Sequence, residues 1–300
     1  MCGLFFLFLF PTGTIPEGTH LEASAVVAKE EVKENPYQKL ELEAKAVYVY
    51  DVKKERVLFE KNATEVLPLA SITKVMTALT ALSLVPETTD ITISSEALKA
   101  EGDSGLKGGE RWVLRDLLAF MLVKSSNDGA VAVSSTLGGF FATSTESFDA
   151  HRERFIAEMN ILAEKLGLQH TSFQSESGLD RDTERAGAYS TAKETSEMFA
   201  YAIKKFPDLF QQTKWSELLV SDEQGAKRKT KNTNTEIERL PLLIASKTGY
   251  TDLAGGNLVV AFDAGFDHPI VVTVLGSTQT GRFDDVEKLI WATLESLQQN

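Results

Sequence analysis

Apolar positions change their spacing twice along this chain. From 44 to 62, "AKAVYVYDVKKERVLFEKN" carries two β-rich runs around a polar turn at Asp51 to Glu55, which predicts a hairpin. The spacing then lengthens: Ile72, Val75, Met76, Leu79 and Leu82 form one stripe, predicting a helix from Ser71 to about Leu84 that ends before Pro86. A short extended piece, "DITIS", follows. Two further helices are expected at about 112 to 122 and 128 to 137, meeting at Ser125 to Asn127. Phe155, Met159, Leu162 and Leu166 share one face of an amphipathic helix over 149 to 166, closed by Gly167, and another helix runs from Thr191 to Lys205 and stops before Pro207. The last third returns to strands in "ERLPLLIASKTGY", "GNLVVAFDA" and "HPIVVTVLGS", before a closing helix over 283 to 297. Strands at both ends with helices between them argue against a βαβ repeat. They predict an α+β fold, with an antiparallel sheet completed by both chain ends and helices packed on it.

The start of the chain reads differently. "LFFLFLF" at 4 to 10 is too short to span a bilayer alone and reads as part of a signal or anchor within residues 1–12. Residues 13–43, with the charged "KEEVKEN", read as a flexible linker, which places the compact domain at 44–300. The N-terminal segment would serve export or membrane contact, and the bacterial cell envelope as the setting is what the family resemblance given below implies. Lys plus Arg total 31 against 43 Asp plus Glu, a net charge of −12, which argues against broad capture of nucleic acid. The single cysteine, Cys2, excludes an internal disulfide and multi-cysteine metal sites. His20, His151, His170 and His268 have no ligand-like spacing, and no metal or cofactor is expected. "KRKTK" at 227 to 231 reads as a charged hairpin tip.

Candidate chemistry begins in "LPLASITKVMTALTAL". In a helix Ser71 and Lys74 stand about 60° apart, with Cβ atoms roughly 5 to 6 Å from each other, so the amine can reach the hydroxyl. A serine hydroxyl is a weak nucleophile until a base takes its proton, and lysine serves only if its pKa is depressed. A serine cap followed by an exposed lysine would look the same. Two distant pieces decide between these readings. At the predicted helix junction, Ser125 can present a hydroxyl, while the Asn127 amide can orient both a substrate carbonyl and a lysine amine. On a predicted edge strand, Lys247 and Thr248 would flank a groove, with Gly249 allowing a substrate backbone to approach closely. S-x-x-K, S-x-N and K-T-G in this order form the motif set of acyl-serine enzymes.

With these motifs, and with "MLVKSSNDGAVAV", "SESGLD", "YSTAKE", "KTGYTDLAGGNLV" and "GRFDDVEKLI", the sequence from about 44 to 298 resembles the penicilloyl-serine transferase superfamily. Within it, the chain is similar to the serine D-Ala-D-Ala carboxypeptidases, the low-molecular-mass penicillin-binding proteins. The resemblance implies a sheet of five antiparallel strands with a helical subdomain and the site between them. It implies Ser71 as the acylated nucleophile, Lys74 as its base and Ser125 as a proton relay. Asn127 would bind the substrate amide and steady Lys74, Lys247 would supply positive potential, and Thr248 and Arg282 would hold the substrate carboxylate. The backbone N–H groups of Ser71 and Tyr250 would form the oxyanion hole. Expected partners are a peptidoglycan stem peptide and β-lactams as covalent inhibitors, acting on a monomer. Three alternatives remain at this point: an endopeptidase cutting D-Ala cross-links, an acyl-inert wall-binding protein, and a class A β-lactamase. The last wants an E-x-x-L-N segment, where this chain has "ESGLDRD".

Overall fold

The computed structural model describes residues 34–140 and 146–299, together with Gly3, Leu9 and Gly13. The expected signal or anchor segment, apart from Gly3 and Leu9, and most of the expected linker lie outside the described residues. Every element below belongs to the compact unit Asn35–Asn300. A 3-10 turn, Pro36–Lys39, precedes the hairpin of β1 (Ala46–Asp51) and β2 (Arg56–Lys61). Strand β3 (Leu67–Pro68) leads into a 3-10 turn, Ala70–Thr73, and helix α1 (Lys74–Leu84). The small pair β4 (Asp90–Thr92) and β5 (Arg111–Val113) opens the helical subdomain of α2 (Leu114–Lys124), α3 (Asn127–Gly139) and α4 (Phe148–Lys165). Strands β6 (Ser172–Phe173) and β7 (Ala188–Ser190) join β3 in a second small sheet, and α5 (Ala192–Lys205) and the single turn α6 (Pro207–Phe210) follow. A hairpin of β8 (Glu217–Ser221) and β9 (Lys227–Lys231) precedes β10 (Leu243–Thr251), β11 (Gly255–Asp263), β12 (Pro269–Ser277) and α7 (Gly281–Gln299).

The main sheet has the order β10-β11-β12-β1-β2, and each neighbouring pair is antiparallel. Both chain ends therefore build it: β1 lies against β12 with Ala46 opposite Leu275 and Asp51 opposite Ile270. Side chains alternate across the sheet, so each strand serves two cores. Ala46, Val259, Ala261, Val271 and Leu275 pack with the helical subdomain, whereas Val47, Val49, Leu258, Val260, Val272 and Val274 pack under Phe283, Val286, Leu289 and Ile290 of α7. Burial on both faces explains why these strands read as nearly unbroken apolar runs.

Three boundaries differ from the sequence reading. The compact unit starts at Asn35, earlier than the expected 44. Tyr37 is buried, stacks on Phe59 with ring centroids 4.9 Å apart and donates its hydroxyl to Thr293 Oγ1 at 2.9 Å. The N–H groups of Glu43 and Ala44 donate to Asp285 at 3.0 and 2.9 Å. Secondly, Arg111–Val113 pair as β5, so α2 starts at Leu114. Thirdly, "KRKTK" is the strand β9 rather than the tip of its hairpin.

Candidate active site

Ser71 does not cap an α-helix as a serine at a helix start would suggest. It lies in the 3-10 turn, preceded by Ala70 at φ 48°, and α1 begins only at Lys74. A left-handed alanine is strained, and Thr73 Oγ1 helps hold the turn by donating to Ala70 O at 2.7 Å. In a 3-10 turn residues three apart eclipse one another, so Lys74 sits over Ser71 more directly than α-helical spacing would place it. Lys74 Nζ is 2.9 Å from Ser71 Oγ, 2.7 Å from Asn127 Oδ1 and 2.7 Å from the Ser177 carbonyl oxygen. The side chain is fully buried, and burial pushes its pKa down to about 7, against the opposing pull of the Glu176 and Asp128 carboxylates.

Asn127 is delivered by the junction of α2 and α3. Ser125 ends α2 in the left-handed region at φ 60°, and Ser126 caps α3 by accepting the Gly129 N–H at 2.9 Å. This sharp reversal turns Ser125 and Asn127 towards two different lysines. Ser125 Oγ accepts from Lys247 Nζ at 3.0 Å, and Lys247 also donates to the Thr248 carbonyl at 2.7 Å. Lys247 is buried as well, and its pKa is held well below the ordinary lysine value by burial first, then by the charges of Lys74 and Arg282. Repulsion between two ammonium groups is reciprocal, so neutralising either one relieves the other.

On the edge strand β10, Thr248 Oγ1 lies 2.6 Å from Thr233 Oγ1, and Thr233 N–H is anchored to the Val123 carbonyl at 3.1 Å. Gly249 has a different close neighbour from the expected substrate backbone. A Cβ there would stand 2.7 Å from the Leu69 carbonyl oxygen and 3.3 Å from Ile72 N, so the missing side chain lets β10 press against the turn carrying Ser71. Arg282 is 7% exposed, donates from Nη1 to the Gly249 carbonyl at 2.6 Å and lies over the Phe283 ring. Burial pushes its pKa down to about 10, and its Nε has no hydrogen-bond partner among the described residues. Tyr250, beside Gly249, is 45% exposed.

Short polar contacts thus join Ser71 and Asn127 through Lys74, and Ser125 and Thr248 through Lys247, while Arg282 holds the backbone of Gly249. Sequence reasoning missed Ser177, which acts through a main-chain carbonyl, and Thr233, within "KNTN". It also missed Glu176, which lay unassigned inside the quoted "SESGLD". A cavity of about 680 Å³ is lined by Ser177 and Arg152, but not by Ser71, Lys74 or Lys247.

The family model described as D-alanyl-D-alanine carboxypeptidase matches residues 30–279. D-alanyl-D-alanine carboxypeptidase DacC of Escherichia coli is 30% identical over 96% of this chain, and DacF of Bacillus subtilis is 28% identical over 89%. The chain spans 66% of the length of each of these relatives. Among solved structures, penicillin-binding protein D2 of Listeria monocytogenes in its ampicillin-bound form is 30% identical. It aligns with a TM-score of 0.70 over 84% of this chain and 98% of its own. A match of this extent, over a fold with the same sheet and helical subdomain, shows that the chain belongs to the D-alanyl-D-alanine carboxypeptidase family.

Proposed function

We propose that the protein is a serine-type D-Ala-D-Ala carboxypeptidase that removes the terminal D-Ala from peptidoglycan stem pentapeptides through an acyl-enzyme on Ser71. The observation that carries this reading is a buried Lys74, depressed to about 7, with its Nζ 2.9 Å from Ser71 Oγ. A neutral amine has two N–H bonds and one lone pair. With its N–H groups donating to Asn127 Oδ1 and the Ser177 carbonyl, the lone pair of Lys74 is left facing Ser71. It takes the Ser71 proton as Oγ attacks the carbonyl of the penultimate D-Ala. The N–H groups of Ser71 and Tyr250 receive the oxyanion. The C–N bond then breaks, the departing D-Ala amine gains a proton through Ser125, and water later releases the shortened peptide from Ser71.

Asn127 holds the substrate amide as well as Lys74. Lys247, Thr248 and Arg282 supply the positive and hydrogen-bonding wall for the terminal carboxylate. All of these groups come from one chain, consistent with action as a monomer. A β-lactam would acylate Ser71 by the same attack. Residues 35–300 form the catalytic domain in this reading, with residues 1–12 serving export or anchoring and the intervening stretch a tether at the outer face of the cytoplasmic membrane.

Incubating the protein with a stem pentapeptide and with cross-linked muropeptides tests the assignment. Release of free D-Ala from the pentapeptide is expected, together with a fluorescent-penicillin adduct that maps to Ser71. Exclusive cleavage of cross-links would make the enzyme an endopeptidase, and absence of any adduct would remove the acyl-enzyme.

A further inference from the structure

Glu176 is a carboxylate that the proposed chemistry does not use, in a place where an idle charge is costly. It is 0% exposed; its Oε1 accepts from Arg152 Nε at 2.9 Å, and its Oε2 has no hydrogen-bond partner among the described residues. Burying an incompletely satisfied ion pair is a poor way to stabilise a fold, because apolar residues of similar volume generally do so at least as well. Its backbone is fixed against the nucleophile's helix. The Glu176 carbonyl accepts from Thr77 Oγ1 at 2.6 Å, the Ser177 carbonyl accepts from Lys74 Nζ, and a Cβ at Gly178 would stand 1.9 Å from the Ala70 carbonyl oxygen. Consecutive residues of one segment thus contact Thr77, Lys74 and Ala70.

We infer that Glu176, clamped by Arg152 of α4, is a positioning residue for Lys74: it fixes the segment that carries the Ser177 carbonyl and supplies a buried negative charge that keeps the amine a strong enough base. Two carboxylates act on Lys74, Glu176 from this segment and Asp128 from α3, while Lys74 itself and Arg282 of α7 act on Lys247 of β10. Burial and the cations alone would make the amine easy to deprotonate but a weak acceptor for the serine proton. A base works best with its pKa near the operating pH, and Glu176 is first among the charges pulling Lys74 back towards that range. Arg152 pairs with both Glu176 and Asp149, and its positive charge moderates the field of Glu176.

This inference rests on Lys74 acting as the base, and the test separates the two. Acylation of the purified protein by a fluorescent penicillin is followed against pH for the wild type, E176Q and R152Q, alongside thermal melting. Glu176→Gln keeps the shape and removes the charge, so the acid limb should move to lower pH by about half a unit to one unit. The plateau rate should fall roughly two- to fivefold, and Glu176→Asp should restore part of both. Arg152→Gln should move the limb the opposite way, and it carries the test if E176Q does not fold. Limbs that stay in place while melting temperatures fall would reduce Glu176 to a structural role and overturn the inference. A wild type that is acylated without any acid limb would overturn Lys74 as the base, and this inference with it.

Discussion

Lys74 and Lys247 are the same residue in nearly the same condition, each buried, each depressed in pKa and each hydrogen-bonded to a serine hydroxyl, yet their surroundings ask opposite things of them. Lys74 Nζ has three oxygen atoms within hydrogen-bond distance, namely Ser71 Oγ, Asn127 Oδ1 and the Ser177 carbonyl, and two carboxylates pull its pKa upward. Lys247 bonds to Ser125 Oγ and the Thr248 carbonyl, and the charges acting on it are the cations Lys74 and Arg282. The first arrangement suits a group that must give up and regain a proton beside a nucleophile. The second gathers positive potential from neighbouring cations, as suits the binding of an anionic substrate.

Arginine distinguishes these two demands because it keeps the charge and cannot act as a base at neutral pH. Lys74→Arg should therefore abolish acylation by fluorescent penicillin, a loss of about a thousandfold or more, while Lys247→Arg should lose roughly ten- to a hundredfold, chiefly as weaker capture of substrate. Stopped-flow acylation rates, with circular dichroism to confirm folding, would measure both. Equal losses at the two positions would mean that the lysines do not divide the work as their contacts indicate.

The next largest effect is the pH response of the wild type. A lysine with a depressed pKa is neutral above that value and charged below it, so Lys74 loses its free lone pair as pH falls through about 7. Acylation should be flat above that range and decline about tenfold per pH unit well below it. The Lys247→Arg variant should retain this limb, since the titrating group is still present. Its disappearance in that variant would assign the titration to Lys247 instead.

How much of this contrast is legible in the sequence depends on the kind of atom involved. Ser71, Lys74, Ser125, Asn127, Lys247 and Thr248 announce themselves because their side chains define ordered motifs, and the two-ended sheet follows from strand-like runs at both ends of the chain. The Ser177 carbonyl is a main-chain atom, and any residue could supply it, so no side-chain pattern points to it. The 3-10 start of α1 is equally hidden: a serine before an apolar stripe reads as an α-helical cap, and only the packing of Gly249 and Gly178 against residues 69–72 shows why the turn tightens. Tyr37 is missed because charged neighbours mask one buried aromatic ring. Its stacking on Phe59 and its bond to Thr293 extend the folded unit into a stretch that composition reads as a tether.

The smallest predicted effect lies on the Lys247 wall, where Thr233 touches neither lysine. Its hydroxyl lies 2.6 Å from that of Thr248, and its N–H holds the Val123 carbonyl at the end of α2. Thr233→Val preserves the backbone bond and the shape while removing one hydroxyl, so the fold and the Lys74 pair should be untouched. Thr248 loses the partner that orients it, and the consequence should be confined to binding of the substrate carboxylate. KM for a pentapeptide should rise about three- to tenfold with kcat within about twofold, the signature of a lost contact made equally in ground and transition states. The acid limb near pH 7 should stay in place. A shift of that limb in T233V would mean that the two walls are electrically joined through the threonine pair, and the separation between Lys74 and Lys247 would have to be redrawn.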